Sequence, residues 1–166
     1  MGSQDETQRV ERAAPAPIRM ALIASSGGHL FELCCIRGVW QERERFWVTF
    51  PTPDAQSLLA DERVYWAHYP TNRNLKNLVK NLALAWRILR TERPDVILST
   101  GAGVAVPFLL LGRLMGMRTV YLESITRISE LSLSGYLVYP FVHTFLVQWE
   151  ELSRKYRRAQ FQGRIL

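Results

Sequence analysis

Six consecutive residues, Ser25-Ser26-Gly27-Gly28-His29-Leu30, bring a glycine pair, two hydroxyls and an imidazole together. Paired glycines let a strand turn sharply into a helix and let a ligand approach the backbone. The free N–H groups and positive dipole end of a helix start attract an anion, phosphate above all. His29 beside them can donate to a phosphate or accept a proton near neutral pH. The same glycines also suit a plain strand-to-helix turn. The dinucleotide fingerprint G-x-G-x-x-G is absent, which argues against a nucleotide-dependent oxidoreductase. A second loop, Ser99-Thr100-Gly101-Ala102-Gly103, follows a strand pattern and precedes a helix pattern. Thr100, Gly101 and Gly103 are its candidate ligand contacts, with tight strand–helix packing as the other reading. A third set, Glu123, Ser124 and Arg127, lies just beyond another strand. A carboxylate there can bind sugar hydroxyls or take a proton. Arg127 can pair with phosphate or with Glu123 itself. His68 and His143 stand among aromatic residues and prolines and read as structural.

These loops need a scaffold that aims them at one place. Strand patterns at 18–24, 46–50, 64–68, 95–99, 119–122 and 144–147 alternate with helix patterns at 30–40, 55–60, 74–91, 104–115, 133–138 and 150–157. Near-continuous apolar strands separated by helices predict an α/β fold, a Rossmann-like parallel sheet with helices on both faces. All three motifs then fall at the carboxyl edge of that sheet, where open α/β sheets bind ligands. The 166 residues suit one domain, over 18–166, after a flexible polar tail at 1–17. No signal peptide is evident, and no apolar stretch reaches the roughly 20 residues of a spanning helix.

The formal net charge of +6 favours anionic partners. Much of it gathers on the helix 74–91. Leu75, Leu78, Val79, Leu82, Trp86 and Leu89 form one apolar stripe, with Lys76, Lys80, Arg87 and Arg90 on an adjoining stripe and Arg73 just before the helix. A basic amphipathic helix carrying a Trp can lie in a membrane interface. The same pattern fits a helix whose apolar side packs in the core and whose basic side meets water. One set of residues cannot do both. The chain contains no recognised nucleic-acid module, and nucleic acid is not expected as a partner. Cys34 and Cys35 are adjacent, which suits neither a structural disulfide nor metal-ligand spacing; no metal site is expected, and a reducing cytoplasm fits.

Taken in order, Ser-Ser-Gly-Gly-His-Leu (25–30), Arg-Pro-Asp-Val-Ile-Leu-Ser-Thr-Gly-Ala-Gly-Val-Ala-Val-Pro-Phe (93–108), Tyr-Leu-Glu-Ser-Ile-Thr-Arg (121–127), Leu-Val-Tyr-Pro-Phe (137–141) and Leu-Val-Gln-Trp-Glu-Glu-Leu (146–152) resemble the PssD-type bacterial polysaccharide biosynthesis proteins. These are related to the membrane-recruiting subunit of the eukaryotic two-part UDP-GlcNAc transferase of dolichol-linked oligosaccharide assembly. More distantly, the chain is similar to the N-terminal, acceptor-binding half of MurG. The resemblance covers residues 18–166. It implies the acceptor half of a split GT-B glycosyltransferase, with a small donor-binding subunit as partner. It implies a UDP-sugar as co-substrate, no cofactor and no metal. The implied acceptor is a sugar on undecaprenyl diphosphate, a polyprenyl-diphosphate-linked acceptor, in capsule or exopolysaccharide assembly.

Gly27, Gly28 and His29 match the family's first glycine loop, Thr100, Gly101 and Gly103 its second, and Glu123 its acidic position. His29 and Glu123 are therefore two candidate bases. Ser26, Ser124 and Arg127 join the glycine loops as candidate acceptor or phosphate contacts. The eukaryotic subunit carries an N-terminal membrane anchor where this chain has a polar tail. The resemblance therefore favours peripheral attachment to the cytoplasmic face of the inner membrane through Lys76, Lys80, Trp86, Arg87 and Arg90. The alternative is a non-catalytic recruiter and enhancer of a separate catalytic subunit.

Overall fold

The alternating apolar runs assemble into one parallel sheet. The computed structural model describes residues 17–71 and 74–165, so the expected tail, apart from Pro17, and Arg73 lie outside the described residues. Within them, strands β1 (Arg19–Ala24), β2 (Glu44–Thr49), β3 (Val64–Trp66), β4 (Val96–Gly101), β5 (Arg118–Leu122), β6 (Thr144–Val147) and β7 (Ala159–Phe161) take the order β3-β2-β1-β4-β5-β6-β7. Every pairing is parallel. Strand β7 is an addition to the expected set. It has three residues, of which only Ala159 is buried, and so carries no readable period.

The helices are α1 (Gly28–Cys35), α2 (Arg37–Trp40), α3 (Pro53–Leu58), α4 (Leu75–Glu92), α5 (Ala105–Leu114), α6 (Leu133–Val138) and α7 (Glu150–Lys155). The single helix expected over 30–40 is broken at Ile36, which caps both α1 and α2. No helix among the described residues is long and apolar enough to cross a membrane.

Alternation along β1 builds two cores. Ala21 and Ile23 point to the side of α4 and α5, against Leu84, Ile88, Phe108 and Leu109. Met20, Leu22 and Ala24 point to the other side, against Leu30, Leu33 and Trp40. Each such side chain contributes about 1.5–3 kcal/mol when fully buried. Trp40 donates from Nε1 to the Leu33 carbonyl at 2.9 Å, and its ring meets Trp47 edge-on at 5.1 Å. The chain winds outward from β1 to β3, crosses back through α4, and winds the other way from β4 to β7. The reversal lies between β1 and β4, whose carboxyl ends frame the crevice where such sheets bind ligands. An apolar groove of about 250 Å³ on one face of the sheet is lined by Val39, Val120, Leu122, Leu146 and Ile165.

Helix α4 resolves the question of its apolar stripe. Asn74 caps it, accepting the Asn77 N–H at 3.0 Å. The buried positions are Asn81, Leu84, Ala85, Ile88, Leu89 and Glu92. Of the expected apolar stripe only Leu89 meets the core; Leu75, Leu78, Val79, Leu82 and Trp86 are exposed, Leu75 by 73% and Trp86 by 48%. Two polar residues occupy the core stripe instead. The Asn81 carboxamide accepts from His68 N at 2.8 Å and donates to His68 O at 2.9 Å, tying the β3–α4 connection to the helix. Glu92 receives the Arg63 guanidinium and the Tyr65 hydroxyl.

Candidate functional site

The site grows from the first glycine loop. Gly27 caps α1 with φ of +80°, a left-handed conformation open to glycine, and no side chain caps the helix start. Gly27 and Gly28 are exposed and Ser26 is half-buried. The first-turn N–H groups of α1 therefore remain available to an anion, beside a ring that the fold holds firmly.

That ring is His29. Its Nδ1 lies 2.8 Å from the Thr100 carbonyl at the end of β4. A carbonyl only accepts, so Nδ1 carries the hydrogen, and in the neutral ring Nε2 keeps the lone pair. The Thr100 hydroxyl donates to the His29 carbonyl at 2.6 Å, completing a reciprocal clamp. The β1–β4 register shifts between Ile23, opposite Ser99, and Ala24, opposite Gly101. The shift leaves Thr100 as the extra residue, a bulge of the kind that re-aims backbone groups beside functional sites. Thr100 is fully buried. Expected as a ligand contact, it holds the first loop against the second through His29.

Gly101 has φ of +120°, and a Cβ there would stand 3.1 Å from His29 Cε1 and 3.1 Å from the Tyr121 hydroxyl. Thr100 and Gly101 end β4 rather than opening a loop. Gly101→Ala is expected to destabilise the fold by about 1–3 kcal/mol through backbone strain and crowding of the imidazole. Chemical denaturation measures this, and unaltered stability would contradict the geometry. Gly103 lies against the chain entering α4: a Cβ there would meet Thr71 at 3.2 Å.

The third set takes a different form from the one expected. Glu123 is 0% exposed. One oxygen accepts Ser124 N–H at 3.1 Å, and the other accepts Ser132 N–H at 2.9 Å and its hydroxyl at 3.0 Å. Gly135 leaves room for this carboxylate only because it has no side chain. Burial raises the Glu123 carboxyl above the usual range, opposed by the donors from Ser132 and Ser124. The sequence reading has Glu123 bind an acceptor hydroxyl or serve as the base; in the folded chain its carboxylate is buried and spends both oxygens on Ser124 and Ser132. It holds the base of the β5–α6 loop. Ser124, also buried, uses its hydroxyl on Glu32 at 2.8 Å and likewise faces inward. Arg127 is exposed at the loop tip and makes no salt bridge with Glu123. Glu32 was missed in the sequence because a charged residue in an amphipathic helix reads as its wet side.

The profile of the family described as "Oligosaccharide biosynthesis protein Alg14 like" matches residues 68–165, more than half of the chain. The chain belongs to the Alg14-like family. The Schizosaccharomyces pombe relative named UDP-N-acetylglucosamine transferase subunit alg14 is 48% identical over 75 residues, covering 42% of this chain and 36% of the relative. The Debaryomyces hansenii ALG14 subunit is 32% identical over 111 residues, covering 63% and 46%. The human ALG14 subunit is 37% identical over 90 residues, covering 50% and 41%. The aligned part of the Alg14-like chain thus spans less than half the length of each of these relatives.

Among solved structures, Acinetobacter baumannii MurG superposes with a TM-score of 0.69 at 19% identity, covering 81% of this chain and 43% of MurG. The Staphylococcus aureus MnaA–UDP structure superposes with a TM-score of 0.72 at 10% identity, covering 89% and 45%. These likenesses establish the architecture: a Rossmann-like sheet corresponding to one half of a GT-B glycosyltransferase such as MurG.

Proposed function

We propose that this Alg14-like chain is the acceptor- and membrane-side subunit of a two-part glycosyltransferase of the bacterial PssD type. It binds a polyprenyl-diphosphate-linked sugar at the cytoplasmic face of the inner membrane, and a small partner subunit supplies the UDP-sugar for capsule or exopolysaccharide assembly. The observation that carries this reading is the imidazole of His29, held through Nδ1 at the Thr100 carbonyl, beside the uncapped start of α1 at the β1–β4 crevice. In the proposed reaction Nε2 takes the proton of the acceptor hydroxyl as its oxygen attacks the anomeric carbon of the donor. The bond from that carbon to UDP breaks, and UDP leaves with the electron pair. The α1 N–H groups at Gly28 and His29, the Ser26 hydroxyl and Arg127 hold the acceptor diphosphate. Thr100, Gly101, Glu123 and Ser124 position those groups from behind. Gly103 joins the second loop to the entry of α4, so the acceptor's lipid tail leaves toward a helix with exposed apolar and basic stripes.

A second reading, a recruiter that only brings a catalytic partner to the membrane, draws on α4, whose exposed stripe needs no chemistry from His29. Reconstitution with the neighbouring gene's product, supplied with UDP-sugars and an undecaprenyl-diphosphate-linked sugar, tests the proposal. Transfer is expected from the pair and not from this chain alone. Comparable turnover by the chain alone would overturn the two-part reading.

A further inference from the structure

Glu32 lies one turn beyond His29 on α1 and is 4% exposed. Its Oε1 accepts two hydrogen bonds from the β5–α6 loop, from the Ser124 hydroxyl at 2.8 Å and from Ile125 N–H at 3.1 Å. Its Oε2 is sealed from solvent and has no partner among the described residues. Leaving a buried carboxyl oxygen unpaired opposes folding. A residue serving stability alone has no reason to accept that penalty, so the group calls for another explanation.

The loop supplies one. Residues 123–125 are gripped on every side. Glu123 takes Ser124 N–H, Gln148 Nε2 donates to the Glu123 carbonyl at 3.1 Å, and Trp149 Nε1 donates to the Ile125 carbonyl at 2.6 Å. Arg127 N–H then turns back onto the Ser124 carbonyl at 3.0 Å, and the exposed Thr126, Arg127 and Ile128 project beyond. Of these anchoring side chains only Glu32 comes from the helix that carries His29.

We infer that Glu32 is a positioning residue that ties the base of the Arg127 loop to α1 and so sets Arg127 relative to His29. The inference rests on the proposed function for the role of Arg127, while the tie itself is independent of it. Glu32 acts through the acceptor position of Oε1, not through charge at the ligand, since the residue is buried and Oε1 is taken by Ser124 and Ile125.

Two variants separate position from charge. Glu32→Gln keeps an acceptor oxygen where Oε1 stands, and its amide nitrogen falls where Oε2 already lacks a partner. Glu32→Asp keeps the charge and withdraws both oxygens by one methylene. Hydrogen exchange of the Ile125 amide in the purified full chain reads the tie without activity. Exchange is expected to quicken by about tenfold or more in Glu32→Asp and to stay within about threefold of wild type in Glu32→Gln, since one lost hydrogen bond to a charged group is worth about a factor of ten. In the reconstituted pair, Glu32→Asp is expected to raise the acceptor KM by about tenfold with kcat little changed. Combining it with Arg127→Ala should raise KM no further than Arg127→Ala alone, as for residues acting through one contact.

Unchanged Ile125 exchange in Glu32→Asp overturns the tie. A Glu32→Gln variant as impaired as Glu32→Asp, or additive effects with Arg127→Ala, overturns the positioning role. If Arg127→Ala leaves KM untouched while Ile125 exchange still quickens in Glu32→Asp, the tie stands and the assignment of Arg127 to the diphosphate fails.

Discussion

His29→Ala is expected to lower transfer by the reconstituted pair by about 10²–10⁴-fold, the usual contribution of a positioned acid–base group, and to leave the sheet intact. The imidazole is oriented by a single hydrogen bond to the Thr100 carbonyl, so its removal costs about 0.5–1.5 kcal/mol of stability. The reciprocal bond survives, because the Thr100 hydroxyl donates to the His29 backbone carbonyl. A loss of rate far larger than the loss of stability therefore isolates chemistry from folding. His29→Gln sharpens the test. Its carboxamide can still donate to the Thr100 carbonyl but has no basic nitrogen. If proton transfer is the role, His29→Gln stays as slow as His29→Ala; if the ring only orients the acceptor, activity returns. Unchanged kcat in both variants would reduce His29 to a turn residue and favour the recruiter reading. Thermal melts alongside steady-state kinetics provide both readouts.

Replacing Lys76, Lys80, Arg87 and Arg90 together by Ser is expected to weaken binding to anionic vesicles by up to about 10³-fold at low salt. Each basic side chain near such a surface is worth about 1 kcal/mol, so four give at most about 4 kcal/mol. All four are exposed on α4. High salt screens that attraction. The apolar stripe predicts what remains: Leu75, Leu78, Val79, Leu82 and Trp86 are exposed, free of the core, and able to enter the interface. Arg90 lies over the Trp86 ring at 5.3 Å, where a cation–π contact joins the basic and apolar stripes. Part of the wild-type binding should therefore survive high salt, and the Leu78→Ser, Leu82→Ser, Trp86→Ser triple variant should abolish that part. Flotation of the three proteins at low and high salt checks both expectations. Undiminished binding by both variants would remove α4 from the membrane contact.

Strand and helix positions follow from hydrophobic period, a local property, and six of the seven strands stand where the pattern puts them. The glycine loops were legible for a similar reason: a positive φ at Gly27 or Gly101 is a demand on one residue, met by glycine wherever the rest of the chain goes. The division of labour among the polar residues around the crevice was not legible. Glu123, Ser124 and Thr100 have the chemistry to touch a ligand, but each turns inward to a partner distant in the chain or across the loop. Thr100 meets His29 from 71 residues away, and Ser124 meets Glu32 from 92.

By itself, then, the sequence determined the alternation of strands and helices, the two glycine turns and the presence on α4 of an apolar stripe beside a basic one. Which side of α4 meets the sheet depends on contacts that form only when the chain folds. The stripe actually buried is centred about 100° around the helix from the most apolar one, given 3.6 residues per turn. It contains Asn81 and Glu92, which the fold satisfies through the His68 backbone and through Arg63 and Tyr65. A helical wheel records hydrophobicity, but whether a polar side chain can be buried depends on partners that only the folded chain brings within reach.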